Sequence, residues 1–375
     1  MDEFRVEITD EQITDLRDRL ARTRWPEAET VDDWSQGIPL DYTRELAEYW
    51  ADGYDMRRLA TRLNSFPQFK SASGIHFLHV RSPHPDARPV IMTHGWPGSV
   101  VEFLNVIGPL TDPEAHGGSA QDAVHLVVPS LPGYGFSDKP TEPGTDLRRI
   151  GELWHQLMGE LGYPRYYAQG GDWGGLVTGT MAVQAPEGLL GVHVNMAVVS
   201  AEALFELGDP TAEEQAMLAR GQRYFTDENG YSTQQSTRPQ TVGYSLADSP
   251  AGQLAWIVEK FHAWTDNSGH PEDAVSRDEL LDNVMVYWLT NSAASSARMY
   301  WESFRTLKPD PAAVPTAYSQ FPEEIFAYSE RWLRTRFSDL RYYNQAPRGG
   351  HFAAFEQPEL FVDEVRAGLR ALSGT

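Results

Sequence analysis

Between an apolar run, Tyr166 to Gln169, and an apolar stretch beginning at Leu176, the chain carries Gly170-Gly171-Asp172-Trp173-Gly174-Gly175. Glycines on both sides of one acidic side chain leave little freedom in what can be built there. The pattern predicts a strand, a sharp turn and a helix. The turn holds Asp172 in a strained backbone conformation, and neighbouring backbone packs so closely that side chains at the glycines would collide. Similar short apolar runs bounded by turn residues occur at 75–80, 89–93, 124–129, 191–195, 314–319 and 340–344, separated by helical stretches. This alternation predicts an α/β chain with a mostly parallel, doubly wound sheet. Ligands of such sheets gather beyond the carboxyl ends of the strands.

The rest of the chain divides around that sheet. Residues 1–74 read as a helical segment wrapping core and cap. Thr9 and Gln12 form a capping-box pattern ahead of Ile13, Leu16 and Leu20 on one helical face, and Pro26 ends the element. Tyr42, Leu46, Tyr49 and Trp50 make a second stripe, expected to face the core. Residues 75–200 are the first part of the core. Over 201–310 strand signals stop and helices are expected at 249–264, 276–290 and 295–306, the second with Ser276 and Glu279 as a capping box. These form a helical cap, after which 311–375 complete the core and close with a helix over 358–372.

Charge narrows the partners. Against 31 Lys and Arg the chain has 53 Asp and Glu, a formal net charge of −22, which repels phosphate backbones and anionic lipid heads. No nucleic acid and no membrane partner is expected. No run approaches the roughly 20 apolar residues of a membrane span, and Met1-Asp2-Glu3-Phe4-Arg5 lacks the basic region of a secretory signal. There is no Cys, so disulfides and thiolate zinc sites are excluded and catalysis must use oxygen and nitrogen groups. A soluble, cytoplasmic protein is expected, with no metal and no cofactor. Aromatic residues make up 11% of the chain, enough for an aromatic-lined pocket.

The Asp172 segment has the G-x-nucleophile-x-G form of the elbow in the α/β-hydrolase fold, with Asp where ester hydrolases carry Ser. An Asp in a glycine-rich turn can serve merely as a helix N-cap; the surrounding sequence argues for more. A carboxylate is already ionised near neutral pH and can displace at an activated sp³ carbon without a base. The product is an ester that water can still cleave, whereas serine would leave an inert ether. After the 89–93 run comes His94-Gly95-Trp96-Pro97-Gly98-Ser99, where this fold supplies an oxyanion-hole amide. Trp96 and Trp173 are the expected donors. His94 reads as structural, and the tight loop suits a cis bond before Pro97. Near the C-terminus, Arg348-Gly349-Gly350-His351-Phe352 lies where the fold presents a histidine base. Its acidic partner should follow the 314–319 run. Glu323 and Glu324 both fit, with Asp339 a weaker third.

With these motifs the sequence resembles the microsomal and juvenile-hormone type of epoxide hydrolase, including its soluble microbial members. The likeness covers nearly the whole chain: Arg22 to Pro26, Trp34 to Tyr42, Phe66 to Phe69, His94 to Ser99, Gly133 to Pro140, Gly170 to Gly175, Val284 to Trp288 and Arg348 to Glu356. The resemblance implies Asp172 as nucleophile, His351 as base and Glu324 as its acid. It also implies two cap tyrosines, Tyr231 and Tyr300, as donors to the epoxide oxygen, although Tyr231 sits in a loop-like Gln/Ser/Thr-rich stretch. The expected substrates are a small hydrophobic epoxide and water, giving a vicinal diol. Many soluble relatives are dimers, so a homodimer is compatible. The vertebrate microsomal form carries an N-terminal membrane anchor, and this sequence begins directly in the acidic helical segment. A haloalkane dehalogenase uses the same ester intermediate but holds a halide with Trp or Asn donors; the paired tyrosines favour the epoxide.

Overall fold

The computed structural model describes residues 1–374; Thr375, the last position of the expected 311–375 segment, lies outside them. Nine strands form one sheet in the order β1-β2-β3-β5-β4-β6-β7-β8-β9. They are β1 (Asp2–Glu3), β2 (Gln68–Lys70), β3 (His76–Val80), β4 (Arg88–Thr93), β5 (Val124–Pro129), β6 (Tyr166–Gly170), β7 (Leu189–Val194), β8 (Thr316–Gln320) and β9 (Leu340–Gln345). Pairings from β5 across to β9 are parallel, while β1, β2 and β3 pair antiparallel at one side. The α/β-hydrolase sheet expected from the sequence is therefore present. Its inner strands are apolar on both faces because helices cover them. The Leu147–Glu160 and Asp172–Gln184 helices pack together, as do Leu104–Thr111 and Pro358–Ser373. The chain turns from β4 to β5 on one side and later to β6 on the other, so the loops after β4 and β6 part at the sheet's switch point, where a crevice forms.

Between β7 and β8 the chain runs through helices from Ala201–Glu206 to Ala293–Ser303. The stretch around Tyr231, expected to be loop-like, is a helix, Gly230–Thr237. Gln, Ser and Thr are mediocre helix formers, and here packing against the Pro239–Asp248 and Ala293–Ser303 helices outweighs propensity. The capping box at Ser276 does not form: Ser276 Oγ donates to the Glu279 carboxylate at 2.6 Å, and its side chain caps no backbone N–H. The Thr9–Gln12 box does form.

The N-terminal segment also differs from the expected all-helical reading. Its β1 and β2 extend the sheet beyond β3; strands this short carry no alternation to read. Tyr42, Leu46 and Trp50 are buried, as the stripe predicted. Three side chains of the segment converge on the fully buried Asp282 of the Arg277–Thr290 helix. Tyr54 donates at 2.6 Å, Arg58 at 3.1 Å and Arg62 at 2.6 Å. Asp282→Ala would leave the Tyr54 hydroxyl buried without an acceptor and reduce Arg58 and Arg62 to their looser contacts with Asp278 and Glu279. The expected loss is about 2 kcal/mol, discounted because both arginines reach solvent. A thermal melt checks it, and an unchanged Tm would show that the cluster adds nothing to stability.

Candidate active site

Asp172 stands at the carboxyl end of β6 with φ +49°, a left-handed conformation that Asp tolerates better than most residues. The glycines around it are required by close approach. A Cβ at Gly174 would overlap the Thr93 carbonyl oxygen, and one at Gly95 would overlap the Asp172 carboxylate itself. The reward for this crowding is a 2.7 Å hydrogen bond from the Trp96 backbone N–H to Asp172 Oδ1. Trp173 follows in the first helical turn, where N–H groups lack an intrahelical partner. The loop carrying Trp96 contains a cis Trp96–Pro97 bond and is tied to the cap. Asn283 donates to Pro97 O and Tyr287 to Gly98 O, both at 2.7 Å. His94 bonds within the core, to Gly95 O and the Leu131 N–H, and burial pulls its pKa down to about 4. It is a neutral structural link.

His351 lies in the loop after β9. Its Nε2 is 3.3 Å from Asp172 Oδ2, an ion-pair contact without the alignment of a hydrogen bond. Its Nδ1 is 2.6 Å from Glu324 Oε1, which also accepts the Ile325 N–H. Burial opposes the imidazolium, but the carboxylates of Glu324 and Asp172 outweigh it and hold the His351 pKa well above the ordinary histidine range. The neighbouring Glu323 turns outward to Arg220 at 3.3 Å. Asp339 precedes β9, at the far end of the strand from His351, and pairs with Arg341. Of the candidate acids, only Glu324 meets the imidazole.

The histidine loop has a support that sequence spacing did not disclose. Glu356 accepts the N–H groups of Gly350 and Phe352, on either side of His351, both at 2.9 Å, and of Asp266 at 2.7 Å. Despite these bonds, burial pushes its pKa up to about 7. Nothing local in the sequence separates this glutamate from a solvated one.

Tyr231 and Tyr300, 6% and 2% exposed, face the carboxylate from the cap helices. Their rings surround the Trp96 indole: Tyr231 stacks on it at 4.7 Å between centroids and Tyr300 meets it edge-on at 5.9 Å. Burial raises both phenol pKa values well above 10, so both stay protonated. Among the described residues the Tyr300 hydroxyl has no hydrogen-bond partner, while Tyr231 shares a 3.1 Å bond with Tyr224, a residue the sequence reading did not single out. Asp172 and both tyrosines line a cavity of about 640 Å³, within the usual range for a small-molecule site. Its other walls are mostly apolar, including Leu176, Met196, Val199, Leu204 and Phe326, and Leu218, Phe225 and Phe304 are exposed along it. Among the described residues no helix is long and apolar enough to cross a membrane.

Comparison with known proteins gives the same direction along the whole chain. The family described as "Epoxide hydrolase N terminus" matches residues 1–103, and that described as "alpha/beta hydrolase fold" matches residues 88–247. A Stigmatella aurantiaca (strain DW4/3-1) protein, named provisionally as an epoxide hydrolase, is 53% identical over 98% of this chain and 84% of its own length. Epoxide hydrolase 1 of Oryctolagus cuniculus is 37% identical over 96% of this chain and 87% of its own. Among solved structures, the juvenile hormone epoxide hydrolase of the silkworm Bombyx mori superposes with a TM-score of 0.90 at 34% identity, covering 100% of this chain and 94% of that one.

Proposed function

The chain belongs to the epoxide hydrolase family, and on that premise we propose that it converts a hydrophobic epoxide to a vicinal diol in two steps, through an ester on Asp172. In the first step Asp172 Oδ2, the oxygen not held by Trp96, attacks a ring carbon. The carbon–oxygen bond of the ring breaks, and the departing oxygen takes a proton from the phenol of Tyr300 or Tyr231; the tyrosinate is reprotonated at the expense of the resting His351 imidazolium, which frees Nε2 as a base. A buried phenol is suited to this, since it stays protonated at working pH yet can donate to an alkoxide. In the second step His351 Nε2 removes a proton from water, whose hydroxide adds to the Asp172 acyl carbon. The negative charge develops on Oδ1, against the Trp96 and Trp173 amides, each such donor contributing about 3 kcal/mol to lowering the barrier. Collapse expels the diol oxygen, which recovers the proton from His351, and the carboxylic acid left on Asp172 passes its proton to His351 to restore the resting pair. Glu324 orients the imidazole and stabilises its cation.

The observation that carries this reading is a single juxtaposition. One carboxylate has an amide on one oxygen and an imidazole beside the other, and it opens into an apolar cavity lined by two protonated phenols. A direct attack of water on the ring would need no such carboxylate between histidine and substrate. One turnover in heavy-oxygen water separates the two routes. The first diol should leave with ordinary oxygen from Asp172, and the label should remain in the enzyme. Label in that first diol would overturn the reading.

A further inference from the structure

Asp172 is a wall of a second, much smaller space, and among the described residues it is the one that lines both. This space measures about 20 Å³, room for one water and none for an organic substrate. Its lining includes the loop of His94 to Trp96, Asn195, His351 and Glu102. Glu102 lies in the short helical turn Val100–Phe103, is 8% exposed, and takes no part in the two steps described above. A buried carboxyl without a catalytic partner is costly to keep, so its presence in a water-sized space beside the reacting groups calls for a function.

Resting on the ester reading of Asp172, we propose that this space holds the water that cleaves the ester, and that Glu102 orients it by accepting one of its hydrogens while His351 Nε2 removes the other. The water needs two such acceptors. One hydrogen must point at the base, and fixing the second aims a lone pair at the acyl carbon. The location also holds this water apart from the substrate cavity, where it would compete with Asp172 for the epoxide. Atoms balance without Glu102 gaining a proton: hydroxide joins the acyl carbon and the proton goes to His351.

Electrostatics gives this function a pH signature. Burial pushes the Glu102 pKa up to about 8, with His351 and the Ser99 amide opposing the rise and Asp172 and Glu356 adding to it. His94, the remaining titratable group of the lining, is held neutral by burial. Esterification removes the Asp172 charge, which discourages ionisation of Glu102, and loosens the proton on His351, whose charge favours it, so the two changes oppose each other. Cleavage of the ester should quicken as pH rises through the ionisation of Glu102, at about 8.

Rapid-quench turnover of styrene oxide, with intact-protein mass detection, tests the proposal. In Glu102→Gln the ester should form at the wild-type rate and decay about 10²-fold more slowly, so that it accumulates, and the pH dependence assigned to Glu102 should vanish from the decay. Gly98→Ala gives an independent variant, because its Cβ would overlap Glu102 Oε1 and displace an otherwise intact carboxyl; it should slow decay in the same way. Ester decay within threefold of wild type, or equal slowing of both steps, would overturn the proposal. An ester trapped in a His351 variant but not in Glu102→Gln defeats this inference alone. No ester in either variant defeats the nucleophile reading and this inference with it.

Discussion

Asp172→Asn should abolish ring opening, lowering turnover by roughly 10⁴-fold or more, while the protein stays folded and still binds its epoxide. The expectation is this large because no other group can replace the carboxylate. The amide nitrogen is a poor nucleophile, and the amide oxygen carries no charge with which to displace at carbon. The fold should survive for reasons visible in the backbone. Asn is as acceptable as Asp at the φ of +49° found here, and its carbonyl oxygen can keep the 2.7 Å bond from the Trp96 amide. Neither the crowding at Gly95 nor that at Gly174 changes, because the two side chains are nearly isosteric. The effect is therefore chemical, and the measurement should show it: diol formation lost, substrate affinity within a few fold of wild type, and Tm little altered. Diol formation above about one per cent of wild type would mean that Asp172 does not form the bond to carbon, and that water reaches the ring unaided.

The Asp172 elbow was legible because steric necessity writes it into the sequence. Only glycine permits the close contacts with the Asp172 side chain at Gly95 and with the Thr93 backbone at Gly174, so the motif cannot be disguised. The sheet was legible for a similar reason, since strands covered on both faces read as mostly apolar runs; β4 and β5 fall within one residue of the expected positions. The two edge strands were not, because two or three residues hold no period. Glu324 could not be told from Glu323 by spacing, and only the resemblance favoured it. What divides them is burial: one carboxylate is enclosed with His351 and the other turns out to Arg220. Glu102 and Glu356 were missed on the same ground. A buried carboxylate and a solvated one are the same letter, and the distinction arises when loops distant in sequence close around them. Tyr231 lay between these cases, in a stretch whose helix exists only because the cap packs against it.

His351→Gln should separate the two steps, leaving ester formation largely intact and slowing ester cleavage by about 10⁴-fold. The charge arrangement of the site gives the reason. In the resting enzyme the carboxylates of Glu324 and Asp172 hold His351 above its ordinary pKa, so it enters the cycle as an imidazolium beside the nucleophile. Attack on the epoxide converts Asp172 to a neutral ester. One of the two charges that stabilised the imidazolium is then gone, the proton is held less tightly, and Nε2 becomes available as a base when water must be deprotonated. Gln can fill the space but cannot accept and return a proton, so the acyl carbon waits for unassisted water. The substitution also leaves Glu324 buried without its 2.6 Å partner, and some loss of stability is expected on that account; the trapped ester itself proves the site intact. Mass spectrometry after adding a turnover-competent epoxide should show the enzyme heavier by one epoxide, with the added mass on the peptide containing Asp172. If no added mass appears with any epoxide that the wild type turns over, the covalent route is wrong, and His351 must instead activate water for direct attack on the ring.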